Sequence, residues 1–586
     1  MANKNKVAST DAPKEKMGFL NKNNEVTSIS VIVPPDGGWG WIVMISSMLC
    51  NMVVDGIVFS SGILLDSIAK EFDSTKAKVA FVSSLLSGFY LLGGPLVSAL
   101  ANKVGFRITT IIGSITACIG FAISYFASSI YFLYFSYGVT GGLGFCLIYI
   151  PSVLSVGYYF EKWRALATGI SLCGSGVGTF VFAPLTEILL EEYGWRITLV
   201  IQAVIILFCA LLGIMFRPLE PTIITSETKN DSSLKIIDVR RPHTDKRTAY
   251  SMPTSAHTTW IKHNQSVYPK ATDIFSAKDT AELFEMKELQ KVEEDDIIND
   301  EDTNNSSRTA RRHTLSEKDG KHIYIRKRSS GPLNRKDIFF SGSLNRIPQY
   351  TSQSSLGYHL SVTNLPEKKQ EKEKANIVMK TLSKLLDFSI LKSPSFLLLA
   401  WSGFFTMSGF FVPFIYINAR AKTDSSMQGW DIYLIPAIGI SNTVARVLCG
   451  LLSSSNKINA LLLNNIFISL GGIATICSGF YLTPVWQIGY AIVFGFAIAC
   501  FSALRSIIVV DLLGLEKLTN AFGMLMMFQG IAAILGSPLA GLFLDLTGSH
   551  DAAFYFAGGL IFFSACLCYP LNYMKKMEQK QQNNDS

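Results

Sequence analysis

One carboxylate lies deep inside the first apolar stretch of the chain, where a charge is costly. Asp55 falls within residues 41–65, which are long enough for the ~20 residues of a transmembrane helix. Asn51, Asp55 and Phe59 are spaced four residues apart, so in a helix they share one face. A carboxylate at the centre of a bilayer costs at least ~2.5 kcal/mol to insert, so Asp55 must face protein or water. We therefore expect a partner for Asp55 across a helix bundle.

The best candidate for that partner is Arg446, which lies inside a second apolar stretch at 432–454. Asn442 is one helical turn away on the same face. Arg446 is too far from the end of its helix to snorkel easily to water. Because a guanidinium presents a planar fork that matches a carboxylate, Arg446 and Asn442 predict a site for an anionic substrate. A structural ion pair with Asp55 is the alternative, and a substrate could compete for that pair.

The other buried charges allow several roles. Asp55 can balance Arg446, accept a cationic group of a substrate, or carry a proton. Arg505 lies six residues before Asp511, near the end of another apolar stretch at 485–511. We interpret Arg505 and Asp511 as a possible gate at that end, with a substrate role for Arg505 as the alternative.

Composition places the chain among polytopic membrane proteins. Of its 586 residues, 49% are hydrophobic and 16% charged, against ~25% charged in soluble proteins, and the mean hydropathy is +0.31. The ten cysteines all fall in apolar stretches, which argues against a disulfide framework or a metal site. The seven histidines lie outside these stretches, so we expect no cofactor and no enzymatic centre. The net charge of +8 is spread out, which argues against nucleic acid binding.

The apolar stretches predict twelve transmembrane spans in two blocks of six, an all-α fold. Residues 1–33 read as a disordered tail, 34–216 as the first six-helix half, 217–374 as a largely disordered loop, and 574–586 as a second tail. Residues 375–573 hold the second half, preceded at 375–391 by an amphipathic helix on the membrane surface or by the start of span 7. The predicted spans are 41–65, 79–101, 108–127, 131–157, 165–186, 196–216, 394–417, 432–454, 459–481, 485–511, 520–545 and 552–573.

A short internal repeat indicates that the two halves are related. Five residues of predicted span 5 recur in predicted span 11 at a constant offset: Ala167, Gly169, Gly176, Pro184 and Leu185 match Ala521, Gly523, Gly530, Pro538 and Leu539. Lysine and arginine in the short loops are concentrated on the side that carries both chain termini. The positive-inside rule therefore predicts that both termini and 217–374 are cytoplasmic.

Two motifs carry a family resemblance. The first enters span 1 and contains Asp36, Gly37, Gly38, Trp39 and Trp41; the second enters span 5 and contains Lys162, Arg164 and Gly169 within the run YFEKWRALATG. Together they resemble the monocarboxylate transporter family. The resemblance implies a fold of the major facilitator superfamily, with two pseudo-symmetric six-helix halves and alternating access around a central cavity. It also implies that these motif residues have a structural role.

The chain departs from the proton-coupled lactate and pyruvate carriers of that family. Those carriers use a lysine in helix 1 and an aspartate and an arginine in helix 8. Here Phe59 stands at the lysine position and Asn442 at the aspartate position, while Arg446 is retained. This pattern is similar to the branch that carries larger solutes such as carnitine, creatine, aromatic amino acids or thyroid hormone.

Three functions follow as hypotheses. The first is a plasma-membrane transporter of a small carboxylate-bearing anion or zwitterion, with Arg446 on the carboxylate, Asn51, Asn442 and Phe59 lining the cavity, and Asp55 on the positive end. The second is proton-coupled monocarboxylate symport that uses Asp55. The third is a sensor or scaffold whose central loop recruits partners. The resemblance further implies that a single-span glycoprotein could be needed for surface delivery.

Overall fold

The computed structural model describes residues 26–31, 34–219, 222–228, 234–240, 335–342, 382–383, 386–427, 429–452 and 459–585. The chain divides into two compact units. One unit comprises 32–220 and 329–586 and contains the helices. The other comprises 1–31 and 221–328 and contains three strands.

The first half of the helical unit begins at Trp39 and ends at Ile214. Span 1 consists of three consecutive helical pieces that form one apolar run, Trp39–Phe72. Span 2 is bent by 48° between its two helices, just before Pro95. The helical pieces are Trp39–Ser60, Ser61–Leu64 and Leu65–Phe72 in span 1, Lys76–Leu92 and Gly94–Val104 in span 2, Phe106–Ile123 and Ser124–Phe126 in span 3, and Ile130–Leu133, Tyr134–Gly141 and Gly142–Tyr159 in span 4.

Spans 5 and 6 form one helical run, Arg164–Ile214, which is interrupted at Gly194. At 1.5 Å per residue this run of 51 residues would be about 76 Å long, far more than the ~30 Å core of a bilayer. The chain turns back at Gly194, whose φ of 74° is favourable only for glycine. The run is therefore two spans.

The second half repeats this arrangement. Its helices are Pro394–Phe410 and Val412–Ala421 in span 7, Leu434–Leu452 in span 8, Ala460–Cys477 in span 9, Pro484–Leu513 in span 10, Leu518–Thr547 in span 11 and His550–Cys568 in span 12, followed by Leu571–Asp585. Ten helical runs among the described residues are long and apolar enough to cross a membrane. Counting the bent pair of span 2 and dividing the run at Gly194 gives twelve spans, as the sequence predicts.

The internal repeat has a structural counterpart. Gly176 of span 5 crosses span 8, where an added Cβ would come within 2.5 Å of the Gly439 carbonyl oxygen. Its repeat partner, Gly530 of span 11, crosses span 2, where an added Cβ would come within 2.6 Å of the Leu92 nitrogen. Span 3 packs on span 6 in the first half, and span 9 packs on span 12 in the second. The two halves thus contact each other through equivalent glycines, which permit close helix approach.

Parts of the predicted disordered regions are ordered, so that prediction is wrong for them. Strand β1 (Val26–Val31) pairs antiparallel with β2 (Thr222–Thr228), which pairs antiparallel with β3 (Leu234–Arg240). These strands are rich in β-branched residues, which favour extended structure locally even where the average composition is polar. Residues 335–342 are also ordered and pack inside the helical unit.

Most of the predicted surface helix at 375–391 lies outside the described residues. The described part comprises 382–383 and 386–391, in which the Leu386 N–H donates to the Leu382 carbonyl oxygen at 2.8 Å. A short 3-10 helix follows, Phe388–Lys392, and the Asp387 carboxylate caps its first turn by accepting from the Ser389 N–H at 3.0 Å.

Candidate functional site

A buried polar layer joins the two halves of the helical unit. Asp55 of span 1 is only 4% exposed, and the Tyr90 hydroxyl of span 2 donates to its Oδ1 at 2.9 Å. The Ser175 hydroxyl of span 5 interacts with the same carboxylate. Ser175 also accepts a long hydrogen bond of 3.4 Å from Nη2 of Arg446 in span 8. One serine therefore links the Asp55 carboxylate of the first half to the Arg446 guanidinium of the second.

Arg446 is held in place by its own helix. It is 4% exposed, and its Nε donates to the Asn442 Oδ1 at 2.6 Å, one turn earlier. Among the described residues, no direct ion pair joins Arg446 to Asp55, although the two charges are close enough to interact and the Ser175 hydroxyl lies near both. Asn442 therefore positions the guanidinium rather than neutralising it.

Three members of this layer were not predicted from sequence. Tyr90 and Tyr149, whose ring centroids are 5.0 Å apart, come from spans 2 and 4. Ser175 lies between Gly174 and Gly176 in span 5. A serine or tyrosine inside an apolar span is common, so no spacing in the sequence distinguishes these three residues.

Phe59 belongs to an aromatic cluster with span 7. Its ring stacks on Phe414, with centroids 4.4 Å apart and planes 17° from parallel. Phe410 and Phe411 lie about 6 Å from it. The cluster joins the first half to the second beyond Asp55, so Phe59 does reach the interface between the halves, as its helical face predicts.

Asn51 is turned toward its own half. Its Nδ2 donates to the Ser171 carbonyl oxygen at 3.1 Å, and its Oδ1 accepts from the Ser152 hydroxyl at 3.0 Å. These contacts join spans 1, 4 and 5. These contacts are typical of a residue that holds packed helices together. A role for Asn51 in lining the cavity therefore stays a prediction.

Two cavities lie on either side of the polar layer. We call the end of the bundle that carries Trp39 and Arg164 the termini end, and the end that carries Phe72 and Lys422 the opposite end. A small cavity near the termini end reaches Arg446 and is lined by Ala165, Thr168, Gly169, Leu172, Ser341, Arg446, Cys449 and Ala503. A second small cavity near the opposite end is lined by Leu65, Asp66, Ala69, Lys76, Val79, Ile415, Tyr416 and Ala419.

The first motif fastens the start of span 1 to its neighbours. The Asp36 Oδ1 accepts from the main-chain N–H groups of Glu161 and Lys162, at 2.7 and 2.9 Å. The Trp39 Nε1 donates to the Met215 carbonyl oxygen at 2.9 Å, and the Trp41 ring lies 5.0 Å from that of Phe160. Gly37 and Gly38 form the turn just before span 1. The two motifs that carry the resemblance therefore bind one another.

The second motif contributes a buried charge. Arg164 is fully buried and donates to the carbonyl oxygens of Gly157 and Phe160. It also donates to the Asp337 carboxylate at 2.7 Å, and both side chains are 0% exposed. Sequence reasoning missed this partner, because Asp337 lies in the stretch that was predicted to be disordered.

Arg505 and Asp511 do not contact each other through the interactions that the structure shows. Arg505 donates to the Leu399 carbonyl oxygen at 3.4 Å, lies over the Phe501 ring, and is placed for its Nε to donate to the Gln529 side-chain oxygen. The Asp511 carbonyl oxygen accepts from Lys575. All of these partners belong to the second half, so a gating role for Arg505 and Asp511 stays a prediction.

The chain is similar to known transporters along most of its length. Residues 43–513 and 467–584 match the family model described as Major Facilitator Superfamily. The chain is 27% identical to human monocarboxylate transporter 14, over 89% of this chain and 88% of that protein. It is 24% identical to human monocarboxylate transporter 7, over 94% and 89%, and 28% identical to monocarboxylate transporter 9 of Gallus gallus, over 90% and 91%. The resemblance predicted from the two motifs is confirmed, and these relatives are transporters rather than enzymes.

Proposed function

Because the chain belongs to the Major Facilitator Superfamily, we propose that it carries a small carboxylate-bearing organic solute across the plasma membrane by alternating access. The observation that supports this most is Arg446. It lines a small cavity between the halves, and its guanidinium has no direct carboxylate partner among the described residues. A buried, preoriented guanidinium is suited to bind a substrate carboxylate through two parallel hydrogen bonds.

The surroundings of Arg446 favour a zwitterion over lactate. Asp55 lies on the other side of Ser175, so one solute could place its carboxylate at Arg446 and its cationic group at Asp55. Tyr90 already donates to Asp55 and would orient that carboxylate. Phe59 and its aromatic neighbours add an apolar wall toward the opposite end. Amino acids, creatine and carnitine have this combination of charges.

The proposed orientation places the termini end in the cytoplasm, following the distribution of lysine and arginine in the short loops. The two cavities then represent cytoplasmic and extracellular vestibules, separated by the polar layer in an occluded state. Delivery of the transporter to the surface by a single-span glycoprotein belongs to the same proposal and rests on the family resemblance.

The test is radiolabelled uptake in oocytes that express the full chain, at acidic and neutral external pH, with lactate, carnitine, creatine and an aromatic amino acid. Arg446→Ala and Arg446→Lys are compared with wild type, and Arg196→Lys at the exposed rim serves as the control. Losing charge-assisted hydrogen bonds worth ~1.5–3 kcal/mol should weaken apparent affinity roughly 10- to 100-fold in Arg446→Ala. Arg446→Lys should recover only part of it, because an ammonium lacks the planar fork.

The same assay distinguishes the other two hypotheses. Lactate uptake that is stimulated by external acid and abolished by Asp55→Asn would identify a proton-coupled symporter instead. Zwitterion uptake that survives Arg446→Ala would exclude the proposed carboxylate site. If none of the solutes enters while the protein is present at the cell surface, the sensor or scaffold hypothesis gains support.

A further inference from the structure

A segment of the long polar region that links the two halves is buried within the helical unit. We call residues 335–342 the inserted segment. Ile338, Phe339 and Phe340 are each less than a tenth exposed, although they directly follow three charged residues. Ser341 contacts Ser506, which is seven residues before the end of span 10 and thus ~10 Å inside the bundle. Non-helical backbone at such depth is tolerated only where it is enclosed by protein.

The inserted segment holds the first half through charge. The Asp337 carboxylate accepts from Arg164 of span 5 at 2.7 Å and from Arg335 of its own segment at 2.8 and 2.9 Å. Arg164 also donates to the Asp337 main-chain oxygen at 3.3 Å. A Cβ added to Gly157 of span 4 would lie 3.4 Å from the Ile338 carbonyl oxygen, so the segment also lies close to span 4.

The same segment holds the second half through hydroxyl and ring contacts. The Ser341 and Ser506 hydroxyls are 2.6 Å apart. Phe339 stacks on Phe522 of span 11, with ring centroids 5.2 Å apart. Lys336 forms a salt bridge of 3.2 Å with Glu516, in the turn between spans 10 and 11. Eight consecutive residues therefore connect spans 4 and 5 of one half to spans 10 and 11 of the other.

The position of Ser341 links these contacts to transport. Ser341 lines the same cavity as Arg446, together with Thr168 of span 5 and Ala503 of span 10. The inserted segment thus contributes Ser341 to the wall of that cavity and contacts Arg164 at the termini end. Alternating access requires the two halves to separate at this end, and a segment bound to both cannot keep all of its contacts when they do.

We propose that residues 335–342 are a tethered gate, which closes the termini-end mouth of the Arg446 cavity and must leave it each time that end opens. This inference rests on the proposed transport function, but its structural test does not require a known substrate. Release breaks the Arg164–Asp337 contact in the first half and the Ser341–Ser506 contact in the second. The gate is part of the chain itself, so no partner protein is needed to close the cavity.

The first experiment measures access to the cavity in the purified full chain, reconstituted in lipid nanodiscs. Thr168→Cys places a thiol on the cavity wall. The rate at which a charged, water-soluble methanethiosulfonate modifies this thiol is measured, with the chain that keeps Thr168 as the reference for the native cysteines. Asp337→Asn should raise this rate at least about tenfold, which corresponds to ~1.4 kcal/mol in favour of the open mouth. Lys517→Gln, at an exposed lysine in the turn between spans 10 and 11 and outside the contacts of the inserted segment described above, is the matched control and should alter the rate less than about twofold.

The second experiment fixes the gate in place, so that a variant that fails to fold does not leave the question open. Ser341→Cys with Ser506→Cys should form a disulfide under mild oxidation, because the two hydroxyls are 2.6 Å apart. Oxidation should slow modification of Thr168→Cys at least about tenfold, and reduction should restore it. In cells, oxidation should also stop uptake of any transported solute. A disulfide that does not form would overturn the proposal.

The remaining outcomes separate this inference from the transport proposal. If the oxidised protein is modified or transports as fast as the reduced one, the segment is a static strut and the gate is rejected. The same conclusion follows if a folded Asp337→Asn protein is modified at the wild-type rate. If no solute is taken up by any form but the modification rates change as expected, the gate stands and the proposed substrate class fails.

Discussion

The two ends of the helix bundle are closed by different means. At the termini end, a segment from outside the spans enters between the halves and pairs Asp337 with Arg164, both 0% exposed. At the opposite end, the spans close on one another. Phe59 of span 1 stacks on Phe414 of span 7, and Lys422 pairs with Glu187 at 2.9 Å while remaining 49% exposed.

This difference determines how much free energy the contacts at each end contribute to keeping that end closed. Removing one partner of a buried ion pair costs ~3–5 kcal/mol, because the other charge is left without compensation. An exposed pair contributes only ~0–1 kcal/mol, because water competes and screens. Aromatic stacking lies between these values, at ~0.5–1.5 kcal/mol beyond area burial. Closure at the termini end is therefore the more strongly held, and closure at the opposite end is the easier one to open.

The largest effect is expected from Arg164→Gln. This change removes the guanidinium that donates to the buried Asp337 carboxylate, and Arg335 is then the cation that the carboxylate still contacts. The loss of a buried charge-assisted hydrogen bond should destabilise the protein by ~1.5–3 kcal/mol and lower the melting temperature of the detergent-solubilised chain by several degrees. The melting temperature of Arg164→Lys should lie between those of this variant and wild type. Lysine keeps the positive charge but lacks the planar guanidinium that reaches Gly157, Phe160 and Asp337. An Arg164→Gln protein that melts at the wild-type temperature would contradict the assignment of the stronger closure to this end.

An intermediate effect is expected from Phe59→Leu. The substitution keeps an apolar side chain but removes the ring that stacks on Phe414, a loss of ~0.5–1.5 kcal/mol. Ala69 lines the cavity at the opposite end, so Ala69→Cys reports access to that cavity. When Phe59→Leu is added, a charged thiol reagent should modify this cysteine roughly two- to tenfold faster. Modification of Thr168→Cys at the termini end should change much less. Equal acceleration at both ends would mean that the two closures are not independent.

The smallest effects are expected at exposed ion pairs. Lys422→Ala should lower stability by ~1 kcal/mol, the upper end for a surface pair, because Lys422 is half exposed whereas its partner Glu187 is only 8% exposed and loses its cation. Lys336→Ala should have still less effect, since its partner Glu516 is 77% exposed. Both effects should shrink as salt is added, because salt screens exposed charges. Thermal melting at low and high ionic strength measures this, and a large, salt-independent loss in either variant would contradict the ranking.

The structure places most of the sequence-predicted residues of the site in one layer. Asp55 and Arg446 were identified because a charge in an apolar span requires an explanation. Asn442 followed from its position one turn before Arg446, and the 2.6 Å hydrogen bond between them is the contact that helical spacing permits. Asn51 shares the face of Asp55 in the sequence, yet its contacts are with Ser152 and Ser171. A helical face is broad, so spacing alone did not show which neighbour each residue meets.

The inserted segment was missed because its surroundings are polar. Composition averaged over the long region 217–374 predicts disorder, and three consecutive apolar residues, Ile338 to Phe340, do not alter such an average. Their burial accompanies the pairing of the preceding Asp337 with Arg164, which is 173 positions earlier than Asp337 in the chain. A short apolar triplet directly after three charged residues was the only local signal.

The sequence by itself determined the spans, the relation between the halves and the presence of two buried charges. These properties depend on apolar length, helical period and repeated glycines, all of which act locally or recur at a fixed offset. Only the tertiary structure decided that Ser175 stands between Asp55 and Arg446, and that Asp337 meets Arg164 at the mouth of the cavity. Those contacts join residues far apart in the chain, and they form only when the two halves and the inserted segment come together.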